Sequence, residues 1–237
     1  MSKAIRAPGL AGLTRRRLVT SAGAGLLAAV SSKPLAAAAW IEETPSQPIG
    51  PFYAPFKPLS IDNDLLFLPG RTEPAEGRVI EVAGRVMDQR SRPLAGARVE
   101  IFQANTFGRY NHPNHANSNL KLDPNFQGFG HDLTDAEGRY RFRTIKPGPY
   151  PDSPDWIRPP HIHFIVFPAR GENWATQMYF VAEELNRKDL LLNQIEPRLH
   201  HLVMRPIIGP PVGAPGGKEY VDFDIVLGQP GVERLPT

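Results

Sequence analysis

The sequence predicts an all-β protein, an antiparallel β-sandwich with long functional loops and little helix. Three observations predict it. Short β-branched, partly alternating runs recur along the chain, turn residues separate them, and helical periodicity is weak throughout. With 26 Pro and 21 Gly in 237 residues, the chain carries more helix breakers than a helical bundle tolerates. That length is enough to bury a full core without covalent staples.

The strand candidates come in order. Residues 79–88, Val-Ile-Glu-Val-Ala-Gly-Arg-Val-Met-Asp, form the first. A turn containing Arg92-Pro93 and Gly96 follows, then residues 97–102 place Val99 and Ile101 on one face. Strand, turn and strand at this spacing predict a hairpin. Residues 140–144 alternate after the turn Asp135-Ala136-Glu137-Gly138, and residues 161–167, 175–181 and 220–227 complete the set. A short helix fits only residues 183–195. Two irregular stretches, 106–130 and 144–160, are long for a compact domain, and loops of that length are usually functional.

Residues 1–39 have a separate character. They contain Lys3, Arg6, Arg15, Arg16, Arg17 and Lys33 and no acid. Thr14-Arg15-Arg16-Arg17-Leu18-Val19 precedes a mild apolar run over 22–30, then Pro34 and Leu35-Ala36-Ala37-Ala38-Ala39. The run is shorter than the ~20 residues of a membrane span. The pattern predicts a cleaved twin-arginine-type signal peptide and export to the periplasm or beyond. Residues 40–74 then read as an extended N-terminal arm and 75–237 as the sandwich. Without the leader, 21 basic residues face 24 acidic ones. A body with a net charge of −3 gives no electrostatic reason to expect nucleic acid.

The chain has no Cys, which excludes disulfides, thiol nucleophiles and thiolate metal sites. The chemistry falls to other groups. His161-Ile162-His163 lies within a strand pattern, so both imidazoles share a face about 6.5–7 Å apart along the backbone and can converge on one ion. The segment leading in, Lys146-Pro147-Gly148-Pro149-Tyr150-Pro151 and then Arg158-Pro159-Pro160, is dense in proline. It delivers a tyrosine and an arginine to the start of the His strand. Tyr110 follows Gly108-Arg109 in the first long loop. Tyrosinate oxygen favours a highly charged cation such as Fe(III), because only such a charge brings the phenol pKa down from ~10. On the residues alone, a half-exposed His strand and buried core tyrosines account for the pattern equally well. His112, His115, His131, His200 and His201 read as surface or loop residues.

A longer set of motifs narrows this. Gln103-Ala104-Asn105 with Gly108-Arg109-Tyr110, Leu122-Asp123-Pro124-Asn125-Phe126, and the run from Phe142 through Pro151 occur in order. Arg158-Pro159, His161-Ile162-His163-Phe164, Thr176-Gln177 and Tyr179-Phe180 continue it. Together they resemble the intradiol ring-cleaving dioxygenases, and within them the iron-bearing β-type chains of the protocatechuate-cleaving branch. The resemblance covers roughly residues 75–180 and is weaker over 222–227.

The resemblance implies a β-sandwich core, non-haem Fe(III), and ring cleavage of a catechol-type diol with O₂ to a cis,cis-muconate-type diacid. It implies Tyr110, Tyr150, His161 and His163 as iron ligands. Tyr110 and His161 would be equatorial and Tyr150 and His163 axial, with Tyr150 released when substrate binds. Arg158 would stabilise negative charge on the substrate ring, and Gln177 would line the same pocket. Asp152 departs from the family, which often has Trp there, and this puts the identity of the diol in question. Thr44-Pro45-Ser46-Gln47 and Gly50-Pro51-Phe52-Tyr53 resemble an N-terminal segment that helps form the pocket. The implied partners are an aromatic diol and O₂, with assembly as a homo-oligomer or with an α-type subunit, and with no nucleic acid and no membrane span. The competing readings are a transthyretin-like binding module and a His-ligated copper or zinc protein.

Overall fold

Eleven strands appear in the computed structural model, which describes residues 40–53, 62–210 and 218–228. The expected signal peptide lies outside the described residues. In chain order the strands are β1 (Val79–Asp88), β2 (Arg98–Phe102), β3 (Phe129–Leu133), β4 (Arg139–Ile145), β5 (Tyr150–Ser153) and β6 (Trp156–Arg158). They continue with β7 (His161–Phe167), β8 (Trp174–Phe180), β9 (Met204–Arg205), β10 (Tyr220–Asp222) and β11 (Ile225–Leu227). One sheet is built on β1, with β4 along one edge and β10 and β11 sharing the other. The second runs β3-β2-β7-β8-β9, and β5-β6 is a separate small ribbon.

Alternation explains the layering. Ile80, Val82 and Val86 of β1 and Phe142 of β4 point one way. Val99 and Ile101 of β2, Ile162, Phe164 and Val166 of β7, and Met178 and Phe180 of β8 meet them in one buried cluster. Burying each such side chain contributes about 1.5–3 kcal/mol. Gly84 interrupts the row because the chain between β10 and β11 presses against it: a Cβ there would stand 2.0 Å from the carbonyl oxygen of Phe223. The Phe223 N–H bonds Ala83 O and the Asp224 carboxylate accepts the Arg85 N–H, so the stretch expected as one strand over 220–227 is two.

Two expectations need correction. The predicted hairpin of β1 with β2 does not form, because β1 pairs antiparallel with β4 while β2 pairs with β3 and β7. The intervening turn is captured by Thr134, whose carbonyl accepts the Gly96 N–H and whose hydroxyl accepts the Ala97 N–H. That draws the chain into the other sheet. The helix expected over 183–195 is broken into 3₁₀ turns at Glu184–Lys188 and Leu192–Gln194. Side chains take over backbone partners there. Asn186 donates to Phe180 O, and Asp189 Oδ1 accepts the Leu192 N–H at 2.8 Å. The pairings of β1 with β10 and β11, and of β8 with β9, are parallel, so the sandwich is antiparallel within its layers and parallel at these margins. No helix among the described residues is long and apolar enough to cross a membrane.

β7 is buried on both faces. Ile162, Phe164 and Val166 enter the core. His161, His163 and Ile165 point outward, where the long loops and residues 44–53 cover them.

Candidate metal centre

The outer face of β7 holds a second, smaller cluster of Phe102, Ala104, Tyr110, Phe129, Tyr150 and Ile165. Both predicted imidazoles face it. Their Nε2 atoms are 3.2 Å apart and their ring centroids 4.9 Å apart. Tyr110 arrives from the loop after β2 and Tyr150 from the start of β5. The phenol rings stand edge-to-face at 5.3 Å, with Tyr150 5.7 Å from His161 and Tyr110 6.3 Å from His163. All four side chains are buried. Gly108 makes this approach possible, because a Cβ on it would lie 2.1 Å from Pro149 O, just ahead of Tyr150.

The donors carry their own evidence of purpose. His161 Nδ1 lies 2.6 Å from Pro159 O, so its proton sits on Nδ1 and the Nε2 lone pair faces inward. That lone pair meets His163 Nε2. Whichever nitrogen of His163 is protonated, one ring atom stays unsatisfied, since its buried Nδ1 has no hydrogen-bond partner among the described residues. The buried hydroxyl of Tyr110 is likewise unpaired there. Orphaned buried polar atoms are costly and rare. A cation beside the two facing Nε2 atoms would take both their lone pairs and give the Tyr110 oxygen a partner.

Electrostatics fits the same occupant. Burial, and then the charge of Arg158, holds both imidazoles well below the ordinary His range, so they are neutral and able to donate a lone pair. Burial, reinforced by Tyr150, pushes the Tyr110 phenol well above its usual value. Burial also pushes Tyr150 up to about 12, although Arg158 acts to lower it. Two phenols in such surroundings ionise only against a strong local cation. Among the described residues no group of three or more His, Cys, Asp or Glu is placed to hold a metal, so tyrosine oxygens would have to complete a site.

Arg158 closes one side of the cluster. Its Nη2 donates to Gln177 Oε1 at 2.7 Å and to the Tyr179 hydroxyl at 3.3 Å, and its Nε donates to Asp189 Oδ2 at 2.7 Å. Residues 44–53 close another side. Gln47 donates to the Tyr179 hydroxyl at 2.9 Å and accepts the Gln177 N–H at 3.1 Å, while Gln177 Nε2 donates to Pro48 O. Phe52 stacks on Tyr110 at 4.4 Å.

Sequence reasoning missed Asp189 and Tyr179 as parts of this network, and the burial of His115 beside it. His115, read as a surface or loop residue, does lie in the loop after β2 but is buried, and its Nδ1 accepts the Tyr110 N–H. An acid ahead of the apolar run Leu190-Leu191-Leu192 was the available signal for Asp189.

Residues 49–228 match the family described as Dioxygenase. The chain belongs to the intradiol ring-cleaving dioxygenase family. The protocatechuate 3,4-dioxygenase beta chain of Burkholderia cepacia is 45% identical over 128 residues, covering 53% of this chain and 54% of that protein. A catechol 1,2-dioxygenase of Candida albicans is 31% identical over 149 residues, covering 57% of this chain and 46% of that one. The chain spans about half the length of the curated relatives it matches. Among solved structures, the dioxygenase domain of a dioxygenase–carbohydrate-binding fusion from Streptomyces superimposes with a TM-score of 0.59 at 28% identity, over 79% of this chain and 99% of that one. A 3-chlorocatechol 1,2-dioxygenase from Rhodococcus opacus gives 0.61 at 25% identity, over 79% and 73%. The sandwich of this intradiol family member is therefore shared with enzymes named for several different diols.

Proposed function

We propose that this chain is a non-haem Fe(III) intradiol dioxygenase. It cleaves the ring of a catechol-type diol between the two hydroxylated carbons. Both atoms of O₂ enter the product, a cis,cis-muconate-type diacid. The observation that carries this reading is the convergence of four buried donors, Tyr110, Tyr150, His161 and His163, with the two Nε2 atoms facing each other and Tyr110 Oη left unpaired. These four would hold the iron. Bound there, Fe(III) supplies the Lewis acidity that makes the diol give up its protons and its ring react with O₂.

The chain's own groups do the rest. Tyr150 Oη, as phenolate, is the base positioned to take a hydroxyl proton from the incoming diol, and burial restores its preference for the protonated form. His161 is held by its bond to Pro159 O, so its Nε2 needs no reorientation. Arg158 presents a fixed positive charge beside the phenols, where negative charge on the substrate ring would be stabilised. Gln177 fixes one arm of the guanidinium and bonds Pro48, so it couples that charge to the pocket wall. Gln47, Pro48 and Phe52 come from the same chain. This supports a site that one polypeptide completes, in a homo-oligomer, over one needing an α-type subunit. The relatives' names include protocatechuate, catechol and hydroxyquinol, and the reading extends to the diol class they share.

The test is the colour and metal content of protein expressed alone in iron-replete cells. The expected result is about one iron per chain, a broad visible band from tyrosinate, and a shift of that band when catechol is added without O₂. A colourless protein carrying stoichiometric zinc sinks the proposal.

A further inference from the structure

His115 has no part in the chemistry above, yet it is built into the same cluster. It ends the 3₁₀ turn Pro113–His115 in the loop between β2 and β3. Its imidazole stacks on Phe52 at 5.0 Å and stands edge-on to Tyr150 at 5.8 Å, with Tyr110 6.0 Å away. Its Nδ1 accepts the backbone N–H of Tyr110 at 3.0 Å. Tyr110 belongs to no strand and is buried, so this bond is what satisfies its amide. Because Nδ1 accepts, the ring proton sits on Nε2.

The turn that carries His115 is itself anchored. The His115 N–H bonds His112 O, and the Ala116 N–H bonds Pro113 O. The Asn114 N–H bonds His112 Nδ1, and Asn114 Nδ2 donates to Pro51 O. Pro113 opens the turn with its φ already fixed. A rigid turn therefore holds an acceptor at a fixed point, and Tyr110, five residues upstream, is tied to it. The Tyr110 ring also stacks on Phe52, which in turn stacks on His115.

We propose that His115 is a positioning residue for Tyr110: its Nδ1, held in place by the anchored turn, fixes the Tyr110 main chain and with it the place of the phenol. This rests on the reading of Tyr110 as an iron ligand. A hydroxyl that is to share an ion with His163 has to stay within a few tenths of an ångström of its place, and a loop alone does not provide that. Partners that orient a ligand from behind typically change metal affinity by about 10–100-fold when removed.

Two variants separate the tether from simple packing. His115→Asn keeps an acceptor near the position of Nδ1 and loses the ring. His115→Phe keeps a stacking ring and loses the acceptor. In the iron-loaded proteins, His115→Phe is expected to shift the visible band and to release iron to a chelator about tenfold faster, and His115→Asn is expected to hold both closer to wild type. Amide hydrogen exchange at Tyr110 reads the tether without metal, and should quicken at least about tenfold in His115→Phe and stay near wild type in His115→Asn. A His115→Phe protein with wild-type band, iron retention and Tyr110 exchange overturns the proposal, as do two variants impaired alike. Wild-type protein that takes up no iron overturns the iron reading instead, and the exchange measurement still decides whether His115 fixes Tyr110.

Discussion

Arg158 Nε sits 2.7 Å from Asp189 Oδ2, with side-chain exposures of 4% and 0%. The pair spans two separate parts of the chain, the end of β6 and the broken turn after β8. Two charges so deeply buried are a poor source of net stability, yet removing one leaves the other stranded, typically at about 3–5 kcal/mol. Asp189 has a second task, because its Oδ1 holds the Leu192 N–H. The guanidinium is thus fixed from one side by Asp189 and from the other by Gln177.

Asp189→Ala is therefore expected to lower the urea-unfolding free energy by about 3–5 kcal/mol. Asp189→Asn, which keeps an uncharged acceptor for Nε–H, should lose less. In the Asn protein the less tightly held guanidinium should cost turnover more than binding, because a small misplacement of a charged group can reduce rate by up to about 10²-fold. Steady-state kinetics with catechol checks this. Wild-type kcat in a destabilised Asn protein would leave Asp189 with a structural role alone.

Tyr140 carries a prediction about alkaline stability that is independent of the metal centre. Its hydroxyl donates to Phe223 O under β1. Burial, helped by Asp224 and Asp222, raises its pKa well above the usual 10.0. Above that value the unfolded chain gives up the phenolic proton and the folded one keeps it. The unfolded state then binds fewer protons, so stability falls as pH rises past about 10, by about 1.4 kcal/mol per pH unit for each such tyrosine. Tyr140→Phe is expected to be about 0.5–1.5 kcal/mol less stable at pH 8, where it lacks the bond to Phe223 O. Between pH 10 and 11 its urea midpoint should fall less steeply than that of wild type. Parallel slopes for the two proteins would show that Tyr140 ionises normally in the fold.

What could be seen beforehand depended on the range of the physics involved. The shared face of His161 and His163 follows from a two-residue period, a purely local rule, and the strands around them follow from the same rule. The pairing of β1 was not local. It turned on Thr134, some forty residues away, taking the Gly96 and Ala97 amides. Tyr110 and Tyr150 sit where no periodicity operates, so only the ordered motifs singled them out. His115 looked like one more loop histidine because nothing in its neighbourhood announces that it accepts an amide five residues back. Asp189 looked helical because its partner, Arg158, is 31 positions upstream.

Residues 44–53 line the site from the same chain. Thr44, Pro45 and Gln47 bond the β8 and β11 backbones and side chains, among them Thr44 N–H to Val226 O, Thr176 Oγ1 to Pro45 O and Gln47 N–H to Ala175 O. Beyond them, Gly50 has φ +82°, and a Cβ on it would meet His163 Cε1 at 3.4 Å. The segment is thus a wall laid directly over the cluster by the chain itself. Gln47 is its inner fastening, through the Tyr179 hydroxyl and the Gln177 amide. Each such bond contributes about 1 kcal/mol net, so losing both weakens the fastening by about 2 kcal/mol, or at most about 30-fold in seating. Gln47→Ala is therefore expected to keep its iron and fold while KM for catechol rises, by no more than that factor, and kcat changes less. Phe52→Ala, which uncovers the face of Tyr110, should in addition shift the visible band. Because the wall belongs to this chain, adding an α-type subunit should not restore either variant. Unchanged kinetics and spectra in both variants, or rescue by such a subunit, would mean that another polypeptide forms this side of the pocket.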